Sequence, residues 1–363
     1  MRRKILKYPT EPLEVWPERS VSELAEGMLW TGFQGRKLAE AIEVWARMLR
    51  KRNIVIWLGL AGALVPAGMR RVISYLIKRR MIDVLVSTGA NLYHDAYEAK
   101  GKKHYVGTHM TDDVKLRKCK VDRIYDVFAD EAGFYKFDNW IEKSFSYGLK
   151  DNYPYSSREI TFLLGKTLSK VGREKDSILV SAYRKGVPIF CPALNDSALG
   201  FSIMFANRKG RRVKVGKTIR YIRKRILIDA LKDVEESSRI TEKAKRTGVV
   251  YLGGGVPKNF IQQTAVIASY QTRHDRSHNY AVQITTDSPH WGGLSGGTFE
   301  EAQSWGKIHR RAGKVTCFAD ATIALPIIVH ALSEKFKRLR REVPIFEWGK
   351  NGELKLRYET MRL

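Results

Sequence analysis

The chain has 363 residues, enough for one large domain or two ordinary ones, and its 44% hydrophobic and 28% charged content excludes a disordered or fibrous class. Its 65 Lys plus Arg against 38 Asp plus Glu give a formal charge of +27, which admits nucleic acid, an acidic partner or simply a highly charged surface. Three cysteines, Cys119, Cys191 and Cys317, are too few and too scattered for a disulfide framework or a zinc site, so each is expected as a small core residue in a reducing cytoplasm.

Taken in chain order, the N-terminal MRRKILKYPTEP is basic with no apolar segment behind it, so no signal peptide is expected. LAEAIEVWARMLRK (38–51) is amphipathic at helical spacing, and residues 1–50 read as a helical extension. IVIWLGLAGALVPAGM (54–69) is the longest apolar run. Three glycines and a proline break it, and it falls short of the ~20 residues a membrane span requires, so it reads as a buried strand and a turn. Strands are predicted at 53–60, 81–88, 176–183, 187–193, 248–255, 280–287 and 314–321, most of them apolar on both faces. Helices are predicted between them, at 68–80 and 220–246 among others. The basic run NRKGRRVKVGKTIRYIRKR (207–225) has only Tyr221 to stack on a base, so it reads as a solvated loop leading into a helix rather than a nucleic-acid face. The alternation argues for an α/β fold: a single domain with a central, mostly parallel sheet and a Rossmann-like core over 51–340, followed by a tail at 341–363.

In an open α/β sheet, ligands bind at the carboxyl ends of the strands. Five predicted strands end in small or polar residues: STGAN (87–91), NDSALG (195–200), GGG (253–255), TTDS (285–288) and ADAT (319–322). Such residues let a backbone approach phosphate and ribose closely. A dinucleotide site is therefore expected, although no G-x-G-x-x-G follows the first strand.

GGGVPK (253–258), YAVQITTDS (280–288), EEAQSWGKI (300–308), CFADATIALP (317–326), VLVSTGANLYHD (84–95) and CPALNDSALG (191–200) together resemble the deoxyhypusine synthase family, in its order and spacing, from about residue 30 to about residue 333. The resemblance implies a cytoplasmic, homotetrameric, NAD-dependent aminobutyltransferase. Bound NAD would take hydride from spermidine, a lysine would hold the butylimine, and an acceptor amine would displace it; in the protein-modifying enzymes that acceptor is translation factor 5A. The attacking lysine is the one in SWGKI, here Lys307, and it must be neutral to attack. Trp305 matches the tryptophan along the alkyl chain, and Glu301 an acid that grips a terminal ammonium. The NAD positions matched are Thr88, Gly89, Asp196, Gly253, Gly254, Gly255, Thr286, Ala319 and Asp320. No metal is implied.

The substrate half departs from that pattern. A paired histidine after GGG-x-x-K is Asn259 and Phe260 here, and asparagine cannot serve as a general base. Matched carboxylates become Phe201 and Leu294, the latter just before Ser295, and a strand-end acid becomes His94. Each lost acid forfeits a charge-assisted hydrogen bond of order 1.5–3 kcal/mol. A shorter donor is therefore expected, with putrescine condensing to homospermidine, and His94 or His290 moving the proton. Deoxyhypusine synthesis from spermidine is the alternative. A silent NAD-binding relative and a nucleic-acid-binding protein remain as the non-enzymatic readings.

Overall fold

Burial on both faces, the property that marked the parallel strands in the sequence, is met most fully in β1 (Ile54–Leu60) and β2 (Val84–Ser87), where every residue is buried. β3 (Ile189–Phe190), β4 (Arg246–Leu252), β5 (His278–Thr285) and β6 (Ile308–Phe318) follow, and the chain closes with β7 (Arg340–Trp348) and β8 (Leu354–Arg362). The computed structural model describes residues 6–173, 176–209, 211–216, 218–222, 225–349 and 352–362. The fold is α/β with mostly parallel strands, as the alternation of elements implies. Among the described residues, no helix is long and apolar enough to cross a membrane. The chain divides into two compact units.

The first unit comprises residues 1–59, 79–83 and 238–363. Its strands lie in the order β6-β5-β4-β1. β4 and β5 run parallel with Val250 opposite Val282, and β5 and β6 run parallel with Val282 opposite Val315. Their carboxyl ends therefore share one edge. There the Gly253 amide donates to the Ile284 carbonyl at 2.8 Å, and the Ala319 amide to the Thr285 carbonyl at 3.1 Å. The N-terminal helices are Val21–Met28, opened by a Ser20/Glu23 capping box, and Phe33–Arg50, which buries Leu38, Ile42, Trp45 and Leu49. Within the tail expected at 341–363, residues 341–348 instead pair with residues 354–362 in the antiparallel hairpin of β7 and β8. Arg341 on β7 is buried and donates to both oxygens of buried Asp83, which also accepts the Ile56 amide at 2.8 Å. Buried Arg80 donates to the Pro344 carbonyl at 2.6 Å. Such hydrogen bonds offset part of the desolvation of the buried charges, though Nε of Arg341 donates to no partner among the described residues.

The second unit comprises residues 60–78 and 84–237. β2 and β3 pair in parallel, with Leu85 opposite Ile189. A small antiparallel sheet orders His104–Val106, Val127–Asp130 and Val121–Ile124. The strand expected over 176–183 is a helix, Ile178–Lys185. Ser177 caps its start and Gly186, at φ 64°, ends it, so local capping overrides the β-branched composition. The strand expected over 187–193 shrinks to β3. The helix expected over 220–246 is confined to Ala230–Lys243, and much of the basic run folds as a hairpin, Arg211–Val215 against Thr218–Ile222. Residues 210, 217, 223 and 224 of that run lie outside the described residues. Cys119 is exposed, unlike buried Cys191 and Cys317, so one of the three expected core thiols is not in the core.

Candidate active site

The SWGKI lysine stands where a short helix turns into a strand. Thr298 caps helix Phe299–Ser304 by accepting the Glu301 amide at 3.1 Å. Trp305 ends the helix, Gly306 turns at φ 66°, and β6 begins at Ile308. The Lys307 backbone is fixed from both sides: its amide donates to Ala302 at 3.0 Å, and its carbonyl accepts from His278 at 3.0 Å. Its side chain enters a cleft of about 230 Å³ lined also by Lys258, Leu294, Glu301 and Trp305. There Nζ lies 3.4 Å from Asn259 Oδ1 and 5.6 Å from the centre of the Trp305 ring. The second distance is within cation–π range. Lys307, Glu301, Trp305, Leu294 and Asn259 are thus brought to one place, with two lysines, one carboxylate among the lining residues and an aromatic wall available to a cationic chain.

Lys258 is the residue that sequence reasoning missed. Its first-turn position in helix Gly255–Thr272 turns it inward, leaving it 2% exposed. Nζ donates to Gln283 Oε1 at 2.9 Å, to the Gly297 carbonyl at 2.5 Å and to the Ser295 carbonyl at 3.5 Å. Burial lowers its ammonium to about 8; Lys307 pushes the same way, while Glu301 and Asp287 oppose. The lysine of GGG-x-x-K was visible as a motif letter, but its burial follows from the loop at 295–297 folding over it. Ser295 completes the interlock, its Oγ accepting the Gly255 amide at 2.9 Å. A Cβ on Gly254 would sit 2.4 Å from Ser295 Cα, so only glycine admits this approach.

The strand-end residues expected to hold NAD lie in both units. Gly253 and Gly255 take φ of 74° and 55°, and the space a Cβ would fill at Gly255 is open. Thr286 and Ala319 follow the adjacent ends of β5 and β6. Asp320 caps helix Ala321–Lys335 through Oδ1, accepting the Thr322 amide at 2.7 Å, and a carboxylate so engaged still has acceptor capacity for a ribose hydroxyl. In the second unit, Thr88 caps helix Gly89–Ala99 and its hydroxyl donates to Gly62 at 2.7 Å. A Cβ on Gly89 would meet the Ser197 side chain at 2.3 Å, so Gly89 and the turn ending at Asp196 are neighbours. In the first unit, the open approach at Gly255 and the remaining acceptor capacity of Asp320 fit a nucleotide's phosphate and ribose.

The remaining candidates are placed as follows. His290 is exposed, bonds Ser288 Oγ through Nδ1 at 2.7 Å and packs edge-on against Trp291. Phe201, in the second unit, is 54% exposed on helix Ala198–Lys209. His94, also in the second unit, is half-buried on helix Gly89–Ala99, and burial lowers its imidazolium to about 3.

The family profile described as Deoxyhypusine synthase matches residues 23–332. A Methanosarcina mazei protein named "Probable deoxyhypusine synthase 2" is 55% identical over 350 residues, covering 96% of this chain and 97% of that protein. The same organism's "Probable deoxyhypusine synthase 1" is 38% identical over 335 residues, covering 92% and 98%. The crystal structure of a candidate deoxyhypusine synthase from Entamoeba histolytica superimposes with a TM-score of 0.58 at 19% identity, covering 88% of this chain and 96% of that one, and supports the fold. With a profile spanning most of its length and a relative this similar across nearly all of it, the chain belongs to the deoxyhypusine synthase family.

Proposed function

We propose that this protein is an NAD-dependent aminobutyltransferase that works through Lys307 on a small diamine, condensing putrescine to homospermidine. The observation that carries the reading is the composition of the cleft. Lys307 shares it with one carboxylate, Glu301, while Leu294 presents an apolar side chain where the family resemblance implies an acid. One carboxylate suits one ammonium, and so favours a donor with a single distal charge to anchor. Methanosarcina mazei carries two relatives, and this chain is nearer to the one numbered 2. Two sister proteins in one organism leave room for a second acceptor.

NAD, on which the family depends, supplies the hydride acceptor when bound, and Gly253–Gly255, Thr286, Ala319 and Asp320 of the first unit are residues that would hold it. The chain's own residues do the rest. Glu301 grips an ammonium, and Trp305 lies along the methylene chain and excludes water. Asn259 accepts from Lys307 Nζ and orients its lone pair, but cannot take a proton. Lys307 forms the carbon–nitrogen bond that retains the four-carbon unit until the acceptor amine displaces it; with putrescine as donor the leaving group is ammonia. A homotetramer is part of the proposal.

Deoxyhypusine synthesis, with spermidine as donor and translation factor 5A as acceptor, is the second reading, and the relatives' names favour it. One experiment separates the two. The purified protein is incubated with NAD and isotope-labelled putrescine as the only amine, and the products are read by mass spectrometry. Labelled homospermidine is expected. No product with putrescine, together with label transfer from spermidine to factor 5A, would replace the first reading with the second.

A further inference from the structure

Helix Gly255–Thr272 turns two side chains inward one turn apart, Lys258 and Gln262, which are 2% and 3% exposed and both line the Lys307 cleft. Phe299 packs beneath them, its ring centroid 6.0 Å from Lys258 Nζ and 6.2 Å from the Tyr251 ring. The hydrogens of Lys258 are all spent, on Gln283, Gly297 and Ser295. Gln262 is the opposite case. Its Nε2 is buried and has no hydrogen-bond partner among the described residues. The Tyr251 hydroxyl, wholly buried on β4, is equally without one. The two groups face each other, but no hydrogen bond of acceptable geometry joins them.

A buried amide left without a partner is rare in a folded protein and costly to keep, so it points to a group that arrives with a ligand. The floor of the cleft indicates which group. A carboxamide is neutral and offers two N–H donors and two carbonyl lone pairs. It matches an atom that both donates and accepts, whereas an ammonium has nothing to accept with. The charged groups around the floor are Lys258, Lys307, Glu301 and Asp287. Among the residues lining the cleft Glu301 is the acid, and there a cation finds its charge-assisted hydrogen bond. A second cation at the floor would be buried beside Lys258, whose own ammonium burial already disfavours.

We propose that Gln262 determines the charge state in which the donor binds: its carboxamide receives an uncharged nitrogen while Glu301 holds the charged one, so a diamine enters as the monocation. The assignment rests on the aminobutyltransferase reading above and names a specificity residue for it. A half-turn of the carboxamide completes the floor. Tyr251 then donates to Gln262 Oε1, and the NH2 group faces the cleft, where one N–H meets the lone pair of the amine. No bond to carbon forms or breaks in this step. The diamine gives up one proton to solvent and keeps the electron pair on the nitrogen that Gln262 holds. An amine that must keep two charges has a single acid to place them against.

Equilibrium dialysis of the NAD-loaded protein at neutral pH tests this with two monocations. In 4-aminobutanol the second polar atom is a hydroxyl, which donates and accepts without charge; n-butylamine keeps the ammonium and lacks that atom. The amino alcohol should bind about fivefold more tightly, within the range of one neutral hydrogen bond. Gln262→Leu should erase that preference. Gln262→Glu, with a carboxylate for a second ammonium, should come to favour putrescine over the amino alcohol at least about tenfold. Butylamine binding as tightly as the amino alcohol to the wild type, no binding of either, or a Gln262→Leu protein that keeps the preference would overturn the assignment. The wild-type comparison stands even where a variant does not fold. If the wild type converts no amine, the aminobutyltransferase reading fails, and the dialysis still decides what Gln262 binds.

Discussion

The floor and the rim of the cleft each hold a lysine, and the two are held in opposite ways. Lys258 on the floor is almost wholly buried and donates to Gln283, Gly297 and Ser295, so each of its three hydrogens has an acceptor. Lys307 on the rim is half-buried and has one long contact, to Asn259, over an aromatic face. A fully satisfied ammonium is architecture: it has no lone pair to offer and holds a loop in place. A loosely held one is free to turn and reach an electrophile. On the assignment proposed above, burial alone is a poor guide to which lysine reacts, and the number of acceptors around Nζ is a better one.

The strongest test of that contrast is exchange of function. Lys307→Ala should remove turnover altogether, and borohydride should then trap no labelled amine on the protein. Trapping on Lys258 in the wild type would reverse the roles assigned here. Lys258→Met should act on stability instead. It leaves the Gln283 and Gly297 oxygens without their donor, at about 1–3 kcal/mol for each buried group, and denaturant unfolding should show a loss of that size.

The same variant sharpens the comparison through pH. Lys258 has a folded-state pKa of about 8, below the ~10.4 of an unfolded lysine. Between those values the folded state binds fewer protons than the unfolded state, so wild-type stability gains from this group as pH rises from 8 towards 10.5. Below pH 8 the penalty of burying the charge is present in full. The stability gap between wild type and Lys258→Met should widen by up to ~3 kcal/mol over that interval, and a constant gap would show that the ammonium is not desolvated. The smallest effect belongs to the substrate end. Glu301→Gln should raise KM for the diamine about tenfold, the worth of one charge-assisted hydrogen bond, with unfolding unchanged.

Much of this was legible in the sequence. The strand ends at 253–255, 285–288 and 319–322 could be read because they are local, small and polar residues where an apolar run stops, whereas the SWGKI lysine stood out only through the family resemblance. The carboxylates replaced by Leu294 and Phe201 were likewise legible only against the family's pattern. What escaped depended on distant pairing. DSILVSAYRK reads as a strand by composition, and only the Ser177 cap and the left-handed Gly186 signal the helix. Lys258 looks like any first-turn lysine until Ser295 and Gly297 close over it. Gln262 faces Tyr251 on a separate strand, and no periodicity in the sequence joins the two.

The division of the chain has a consequence for how it is made. β1 belongs to the first unit, yet its neighbour β4 comes after the whole of the second. A ribosome working at ~5–20 residues per second spends roughly 10–35 s on the ~180 residues between them. Through that interval the wholly apolar IVIWLGL is out of the exit tunnel without the strand that covers its edge, and it is the segment on which a nascent-chain chaperone would have most to hold.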